Sequence, residues 1–246
     1  MNWKITHLQE IESTNEYAKS IPPNQLPAFV YADYQTKGKG QQNNTWYSEN
    51  GKNLLCSIVL PIHLPVHYNN YISRWISVIL VELLLKFSVS KDKIKIKWPN
   101  DIIVKDKVGF KKIAGILIEN TIDNHYINKS IIGIGLNINQ TNFQQLNKTA
   151  TSLQLITNRE YPIPSIAETL MDLTEKYLPM MEYQKYHSIN QHYISYLYGR
   201  QSDFLFRFNQ QIHKGKIIQL NDNGTISVQT PEFTYTFQNK EMEFIY

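Results

Sequence analysis

The sequence predicts an α/β (α+β) fold, in which a mixed β-sheet is flanked by helices and a small β-barrel follows at the C-terminal end. Strand-like and helix-like stretches succeed one another without strict alternation as far as residue 198, which is typical of a sheet packed against helices. From Gly199 onward the pattern changes to short strands separated by turns such as Asp222-Asn223-Gly224. We therefore expect two domains, residues 1–198 and residues 199–246.

Composition narrows the class of protein. Hydrophobic residues make up 42% and charged residues 19% of the 246 residues, which is typical of a globular chain and too apolar for a disordered one. The formal net charge of +4 falls short of the basic stripe of a nucleic-acid binder and fits a site that handles anions. Cys56 is the single cysteine, so no intrachain disulfide or cysteine-based zinc site can form, which indicates a reducing compartment.

Signals for membrane targeting are also missing from the sequence. The first residues have no apolar core like that of a signal peptide. The most apolar stretch, Ile76–Leu85, is interrupted by Glu82 and is shorter than the roughly 20 residues that a membrane span requires. We expect a cytoplasmic protein that contacts no membrane.

Local patterns predict the elements of the first domain. The Ser-x-x-Glu spacing from Ser13 to Glu16 is that of a capping box, so a short helix should follow and end before Pro22. Helical spacing of apolar residues predicts a helix over Asn69–Phe87, whose solvent-facing side carries Arg74, Glu82 and Lys86. Strands are predicted at Phe29–Tyr34, Leu54–Leu60, Lys93–Lys97, Ile102–Val104, Lys112–Glu119 and Ile131–Ile138, and a mostly helical stretch at Ser165–Leu197.

Four polar segments at the ends of these strands are candidates for chemistry. The first lies in a long predicted loop, Gln35–Asn53, where Gly38 and Gly40 flank Lys39 and Trp46 follows. Two glycines beside a lysine let backbone N–H groups approach an anion, and the indole offers a flat face for a ring. A flexible surface loop with a buried anchor tryptophan is the alternative.

The second segment is Lys97-Trp98-Pro99-Asn100-Asp101. Proline ends the preceding strand and places an amide and a carboxylate beyond the sheet edge. Such a pair can hold Mg²⁺ through oxygen. An ordinary Pro-Asn-Asp turn is the alternative.

The third segment opens the strand that contains Lys112. In a strand Lys112, Ala114 and Ile116 share one face, and a lysine on an apolar inward face needs an anionic partner. Gly115 would allow close approach from the opposite side. The alternative places Lys112 before the strand, in solvent.

The fourth segment, Gly133–Asn139, ends an apolar strand with Asn137 and Asn139 on one face. A side-chain amide is both donor and acceptor, which suits the edge of adenine, although strand-end asparagines also form simple turns. Gly133 and Gly135 lack the third glycine of a dinucleotide-binding fingerprint. The sequence contains no P-loop, Gly-x-Ser-x-Gly or His-Glu-x-x-His motif.

The order of the motifs resembles that of biotin protein ligases. They run from Ser13-Thr14-Asn15 through Gln-Thr-x-Gly-Lys-Gly, Lys-Trp-Pro-Asn-Asp and Lys-x-Ala-Gly-Ile-Leu-x-Glu to Gly-Ile-Gly-Leu-Asn-Ile-Asn. The resemblance spans residues 13–153, and a weaker one continues into the tail, where that family has an SH3-like barrel. It implies a biotin–[acetyl-CoA-carboxylase] ligase, which joins biotin to ATP as biotinyl-5′-AMP, releases pyrophosphate, and then passes biotin to a lysine of a biotin carboxyl carrier domain. A homodimer is compatible with the resemblance.

The resemblance also implies roles for individual residues. Lys112 would contact the biotin carboxylate and the α-phosphate, with Lys39 and Asp101 as further catalytic residues, and Asp101 would serve Mg²⁺ or orient the acceptor lysine. The implied biotin-binding residues are Ser13, Thr14, Asn15, Gln35, Gly38, Lys39, Gly40, Lys112 and Gly115. The implied ATP-binding residues are Lys39, Gln41, Trp46, Lys97, Asn100, Lys112 and Asn137, with Trp46 and Asn137 on adenine.

The chain departs from the family pattern in the loop after Gln35. Arginines are common in the family where this chain has Lys39, Gln41 and Asn44, and a glycine is frequent at the position of Asn43. Lysine keeps the charge but loses the planar guanidinium fork, and glutamine loses the charge. We therefore expect looser retention of biotinyl-5′-AMP than in an arginine-bearing relative.

Two other functions compete with this one. One is a lipoate or octanoate ligase or transferase on a related fold, which does not share the Lys-Trp-Pro-Asn-Asp segment. The other is a non-catalytic biotin- or nucleotide-binding protein, which would release no pyrophosphate. Some ligases carry an N-terminal winged helix and act as repressors. Because the pocket motif here begins at residue 13, we expect no DNA binding.

Overall fold

The computed structural model describes residues 1–41, 44–144, 149–182 and 185–245. The α-helices are α1 (Thr14–Lys19), α2 (Asn69–Lys86), α3 (Leu153–Thr157), α4 (Ile163–Tyr177) and α5 (Tyr186–Tyr196). The strands are β1 (Lys4–Ile11), β2 (Ala28–Gln35), β3 (Asn53–Pro65), β4 (Ile94–Lys97), β5 (Asp101–Lys105), β6 (Phe110–Asp123), β7 (Tyr126–Asn137), β8 (Phe204–Phe208), β9 (Gln211–Leu220), β10 (Ile226–Gln229), β11 (Thr234–Phe237) and β12 (Glu243–Ile245). All strands predicted for the first domain are present, whereas β1 and α3 were not predicted.

The larger sheet has the strand order β1-β2-β3-β7-β6-β5-β4. β1 and β2 are parallel and the other pairs are antiparallel, which confirms a mixed sheet. Successive side chains of a strand point to opposite faces, so each face has its own core. Val30 packs with Ala18 of α1 on one face, and Phe29 packs with the α2 residues on the other. Helices therefore cover both faces of the sheet.

The prediction that Arg74 lies on a solvent-facing side of α2 is wrong. Arg74 is 6% exposed, because α2 is covered on one side by the sheet and on the others by α4, α5 and the turn after β9. Its guanidinium donates to Asn190 Oδ1 at 3.0 Å and to the Asn221 carbonyl at 2.8 Å. Burial lowers the pKa of Arg74. Periodicity detects only the apolar side of a helix, so it could not show that a second layer covers the polar side.

The capping-box prediction is correct for the helix and wrong for its side chains. Ser13 occupies the N-cap position of α1, but its side chain makes no capping hydrogen bond. Glu16 binds Lys19 and Lys39 instead of the backbone at the start of the helix. The helix ends at Lys19, ahead of Pro22 as expected.

The C-terminal residues form a separate antiparallel sheet with the order β11-β10-β9-β8-β12. Its buried residues Phe206, Ile217 and Val228 join the core that surrounds α2. Trp98 Nε1 donates to the Gly224 carbonyl at 3.1 Å, so the turn between β9 and β10 touches the segment that links β4 to β5. The domain boundary at residues 198–199 stays a prediction. No helix in the described residues is both long and apolar enough to cross a membrane.

Candidate active site

Two neighbouring cavities open where β6 and β7 meet the loop that follows β2. The first, here called the inner cavity, has a volume of about 50 Å³. Its lining includes these predicted site residues: Ser13, Thr14, Asn15, Gln35, Lys39, Gly40, Gln41, Trp46, Asn100, Lys112 and Gly115. The second, here called the outer cavity, has a volume of about 820 Å³ and extends to the C-terminal sheet. Its lining includes the predicted residues Gly40, Gln41, Trp46, Lys97, Asn100, Asp101 and Lys112.

A buried network of neutral hydrogen bonds forms one end of the inner cavity. The Thr14 backbone N–H donates to Gln35 Oε1 at 2.7 Å, and the Thr14 hydroxyl lies 3.1 Å from the same oxygen. Ser57 Oγ lies 2.8 Å from Thr14 Oγ1 and 2.6 Å from Asn15 Oδ1. Sequence reasoning missed Ser57, because one serine within an apolar strand carries no motif.

Paired glycines make room for the bulky residues of the site. Gly115 and Gly135 face each other in the register of β6 and β7. A Cβ atom on Gly135 would lie 2.3 Å from the Trp46 indole, and one on Gly115 would lie 2.9 Å from it. A Cβ atom on Gly133 would likewise lie 2.4 Å from Asn15 Oδ1. The Gly133-Ile134-Gly135 pattern therefore serves close packing, which its period of two could have indicated.

The predicted face of Lys112 is wrong, although Lys112 does line the inner cavity. The pairing of β5 with β6 shifts by one residue between Ile102 and Ile103, so β6 contains a bulge next to Lys112. The extra residue moves Lys112 to the side of Gly115, whose Cβ position lies 3.0 Å from Lys112 Nζ. The Lys112 backbone exchanges hydrogen bonds of 3.0 and 2.9 Å with Thr149 and Thr151. A bulge depends on such partners, which strand alternation does not show.

The Asp101 carboxylate forms ion pairs with two lysines of the site. Its carboxylate lies 2.7 Å from Lys112 Nζ and 3.0 Å from Lys97 Nζ, and the residue is 8% exposed. Burial acts to raise the pKa of Asp101, but the two ammonium groups outweigh it and hold that pKa below its ordinary value. The Lys112 ammonium also lies 5.2 Å from the Trp46 ring centroid. The Lys112 ammonium group therefore lies where the two cavities meet.

Lys39 is held by a carboxylate at the mouth of the inner cavity. Its Nζ lies 2.6 Å from Glu16 Oε1, and the Lys19 ammonium lies 2.9 Å from the same oxygen. The hydrogen bonds from Lys39 and Lys19 lower the pKa of Glu16 to about 2. All three groups are partly exposed, so these pairs stabilise the loop only weakly.

The C-terminal sheet reaches the same loop. Asn239 Nδ2 donates to Gln41 Oε1 at 3.0 Å, and Lys240 Nζ donates to the Gln41 carbonyl at 3.5 Å. Arg207 and Glu243, which form an ion pair, line the far side of the outer cavity. Gln41 therefore contacts the second sheet, a contact that the sequence did not indicate.

Two predicted site residues line neither cavity. Asn137 is 3% exposed and donates to the Thr151 carbonyl at 2.9 Å, so its amide braces the segment beside Lys112. Gly38 packs against the backbone of Trp46, where a Cβ atom would lie 2.6 Å from the carbonyl oxygen. Asn43, where the family often has glycine, lies outside the described residues.

The arrangement does not fit the magnesium site predicted at Asp101. One carboxylate oxygen is paired with Lys112 and the other with Lys97, and Asn100 Nδ2 donates to the Ile116 carbonyl at 2.8 Å. In the part of the chain that the structure describes, no three histidine, cysteine, aspartate or glutamate side chains cluster as metal ligands. Asp101 and Asn100 are therefore engaged with ammonium groups and a carbonyl, and are not arranged as metal ligands.

Sequence comparison identifies the class of protein to which this fold belongs. The model of the Biotin/lipoate A/B protein ligase family matches residues 8–137, and the chain belongs to that family. It is 26% identical over 238 residues to the bifunctional ligase/repressor BirA of Bacillus spizizenii, covering 94% of this chain and 71% of that protein. It is 33% identical over 126 residues to the human biotin–protein ligase, covering 49% of this chain and 16% of that protein.

Solved structures share the whole architecture. The biotin protein ligase of Aquifex aeolicus in complex with biotin and ATP superposes with a TM-score of 0.77, at 23% identity over 98% of both chains. The biotin acetyl coenzyme A carboxylase synthetase of Helicobacter pylori superposes with a TM-score of 0.64, at 19% identity over 96% of this chain and 100% of that chain. At such identities the likeness concerns the fold, including the C-terminal sheet.

Proposed function

We propose that this chain is a biotin protein ligase that forms biotinyl-5′-AMP from biotin and ATP and then biotinylates a lysine of a carrier domain. The observation that carries the proposal is the position of Lys112, which lines both the inner and the outer cavity and is 2.7 Å from buried Asp101. The names of the relatives support biotin and ATP as substrates. A carrier domain of a biotin-dependent carboxylase is the acceptor that fits this chemistry.

The geometry suits the union of two anions. A carboxylate end that reaches out of the inner cavity meets the Lys112 ammonium, and phosphates in the outer cavity meet Lys97 and the same ammonium. A carboxylate oxygen then attacks the α-phosphorus, the bond to the β-phosphate oxygen breaks, and pyrophosphate leaves. The fixed cations offset the repulsion between the reactants, and the cavities hold them in contact. An acceptor amine next attacks the acyl carbon, and AMP leaves.

Ligand entry requires a rearrangement of the loop after β2. A volume of about 50 Å³ holds one or two water molecules, and a bicyclic ring needs several times more space. Trp46 and Lys39 form the side of the inner cavity that belongs to the loop. We therefore propose that biotin displaces this side of the cavity, while the side built by Thr14, Asn15 and Gln35 stays in place.

Exchange of labelled pyrophosphate into ATP tests the function. The chain should catalyse exchange with biotin and show none above background with lipoate or octanoate. Exchange with lipoate alone would identify a lipoate ligase, and binding of biotin without exchange would identify a binding protein. The acceptor is tested by mixing the chain with a purified biotin carboxyl carrier domain and following its mass. The cytoplasmic location, the SH3-like class of the C-terminal sheet, a homodimer and the absence of DNA binding stay predictions.

A further inference from the structure

Glu119 lies beside the inner cavity without lining it, and the mechanism above gives it no role. Glu119 Oε2 accepts a hydrogen bond from Asn15 Nδ2 at 2.9 Å, and the Leu117 carbonyl accepts from the same nitrogen at 3.3 Å. Carboxylate and carbonyl oxygens accept hydrogen bonds and never donate them. The two acceptors therefore fix the orientation of the Asn15 amide, with its oxygen turned toward Ser57.

This orientation determines where the neighbouring protons lie. Asn15 Oδ1 only accepts, so the Ser57 hydroxyl, 2.6 Å away, must donate to it. The Thr14 hydroxyl lies 2.8 Å from Ser57 Oγ and 3.1 Å from Gln35 Oε1, and neither of these oxygens has a proton to give it. Its own proton is therefore directed to one of them. Both hydroxyls use their protons inside the network. Thr14, which lines the cavity, therefore has only lone pairs left for a ligand, and Ser57 lies behind it, fully buried.

We propose that Glu119 is a positioning residue that sets the hydrogen-bond polarity of the inner cavity, so that the cavity selects a ring carrying N–H donors. The inference rests on the proposed function and deepens it. The ring urea of biotin has two N–H groups, whereas the dithiolane ring of lipoate has none. A ligand without donors would leave buried lone pairs unpaired, which costs about 1–3 kcal/mol for each group.

The ion pair between Glu119 and Lys19 supplies a matched control. Lys19 Nζ lies 2.8 Å from Glu119 Oε1 on the side away from Asn15, so Lys19 holds the carboxylate without touching the cavity. Glu119→Gln keeps the shape of the side chain but can donate as well as accept, which allows the Asn15 amide to turn over. Lys19→Gln removes the ion pair and leaves the acceptor-only carboxylate in place.

The experiment measures pyrophosphate exchange and thermal unfolding of the wild-type chain and both variants. For Glu119→Gln we expect the KM for biotin to rise roughly tenfold, because about one hydrogen bond to the ligand is lost. The KM for ATP and the melting temperature should change little. For Lys19→Gln we expect the KM for biotin to stay within about twofold of wild type, as for a surface ion pair. A Glu119→Asp variant, whose side chain also only accepts, should bind biotin more tightly than Glu119→Gln in calorimetry.

An unchanged KM for biotin in Glu119→Gln overturns the inference, and so does an equal rise in the KM for ATP. A rise in Lys19→Gln as large as in Glu119→Gln also overturns it, because the charge and not the acceptor would then matter. Weaker binding by Glu119→Asp than by Glu119→Gln has the same consequence. Failure of the wild-type chain to exchange pyrophosphate with biotin contradicts the proposed function itself, and is visible before any variant is made.

Discussion

The inner and outer cavities differ in the charge and the exposure of their polar groups. The closed end of the inner cavity is made of neutral side chains, such as Thr14 and Asn15, that are 3% exposed and bonded to each other. The outer cavity is wide, and its lysines Lys97 and Lys112 have side chains 24% and 32% exposed. Buried neutral groups penalise a ligand that leaves them unpaired, whereas ammonium groups attract any phosphate. Under the proposed function, we therefore expect the inner cavity to select among acids and the outer cavity to attract the nucleotide.

The largest effect is expected from removing the Lys112 ammonium group, which lines both cavities. Lys112→Ala should lower the rate of pyrophosphate exchange about 10³-fold, because a fixed charge at the reacting groups is lost. Lys97→Ala removes a lysine that lines only the outer cavity and should cost about tenfold, mainly in the KM for ATP. Steady-state kinetics on both variants separates the two effects. Equal losses of exchange rate in the two variants would contradict the separate roles given to the two cavities.

A second prediction concerns the carboxylate between the lysines. Asp101→Asn should lower the free energy of unfolding by about 2 kcal/mol at neutral pH, because two charge-assisted hydrogen bonds are lost. The folded-state pKa of Asp101 is lowered, so this contribution is complete above the ordinary value of 3.8 and disappears as pH falls through the lower folded-state pKa. Urea unfolding of both proteins between pH 3 and 7 measures it. A stability difference that stays constant down to the acid end contradicts the assignment.

The smallest expected effect concerns the loop that closes both cavities. Gln41 lines both and has no charge, so we expect the chain to lose biotinyl-5′-AMP faster than an arginine-bearing relative. Gln41→Arg should slow the release of biotinyl-5′-AMP roughly tenfold, because the arginine can add about one charge-assisted hydrogen bond to the adenylate. Rapid filtration of the protein–adenylate complex measures the rate. Retention by the unmodified chain as tight as in such a relative would refute the expectation.

Prediction from the sequence succeeded where a local pattern decides the structure. Apolar runs in period two or at helical spacing located the strands of the first domain and α2, since both patterns reflect burial on one face. β1 was missed because it is an edge strand whose exposed and half-buried residues show no apolar run. The family motifs brought most of the candidate site together. They end one segment on Glu119 without indicating its contact with Asn15, and they do not include Ser57, which lies in the middle of β3.

The residue patterns alone determined that this chain forms a helix-flanked sheet with a second β-rich unit. The resemblance to biotin protein ligases predicted that a lysine, an aspartate and a glycine-bounded loop belong to one site. Tertiary structure decided which way those groups face. The bulge in β6 turns Lys112 toward Gly115, and the second sheet buries Arg74 and reaches Gln41. Register shifts and contacts between distant segments depend on the free energy of the whole assembled core, and no stretch of neighbouring residues contains that information.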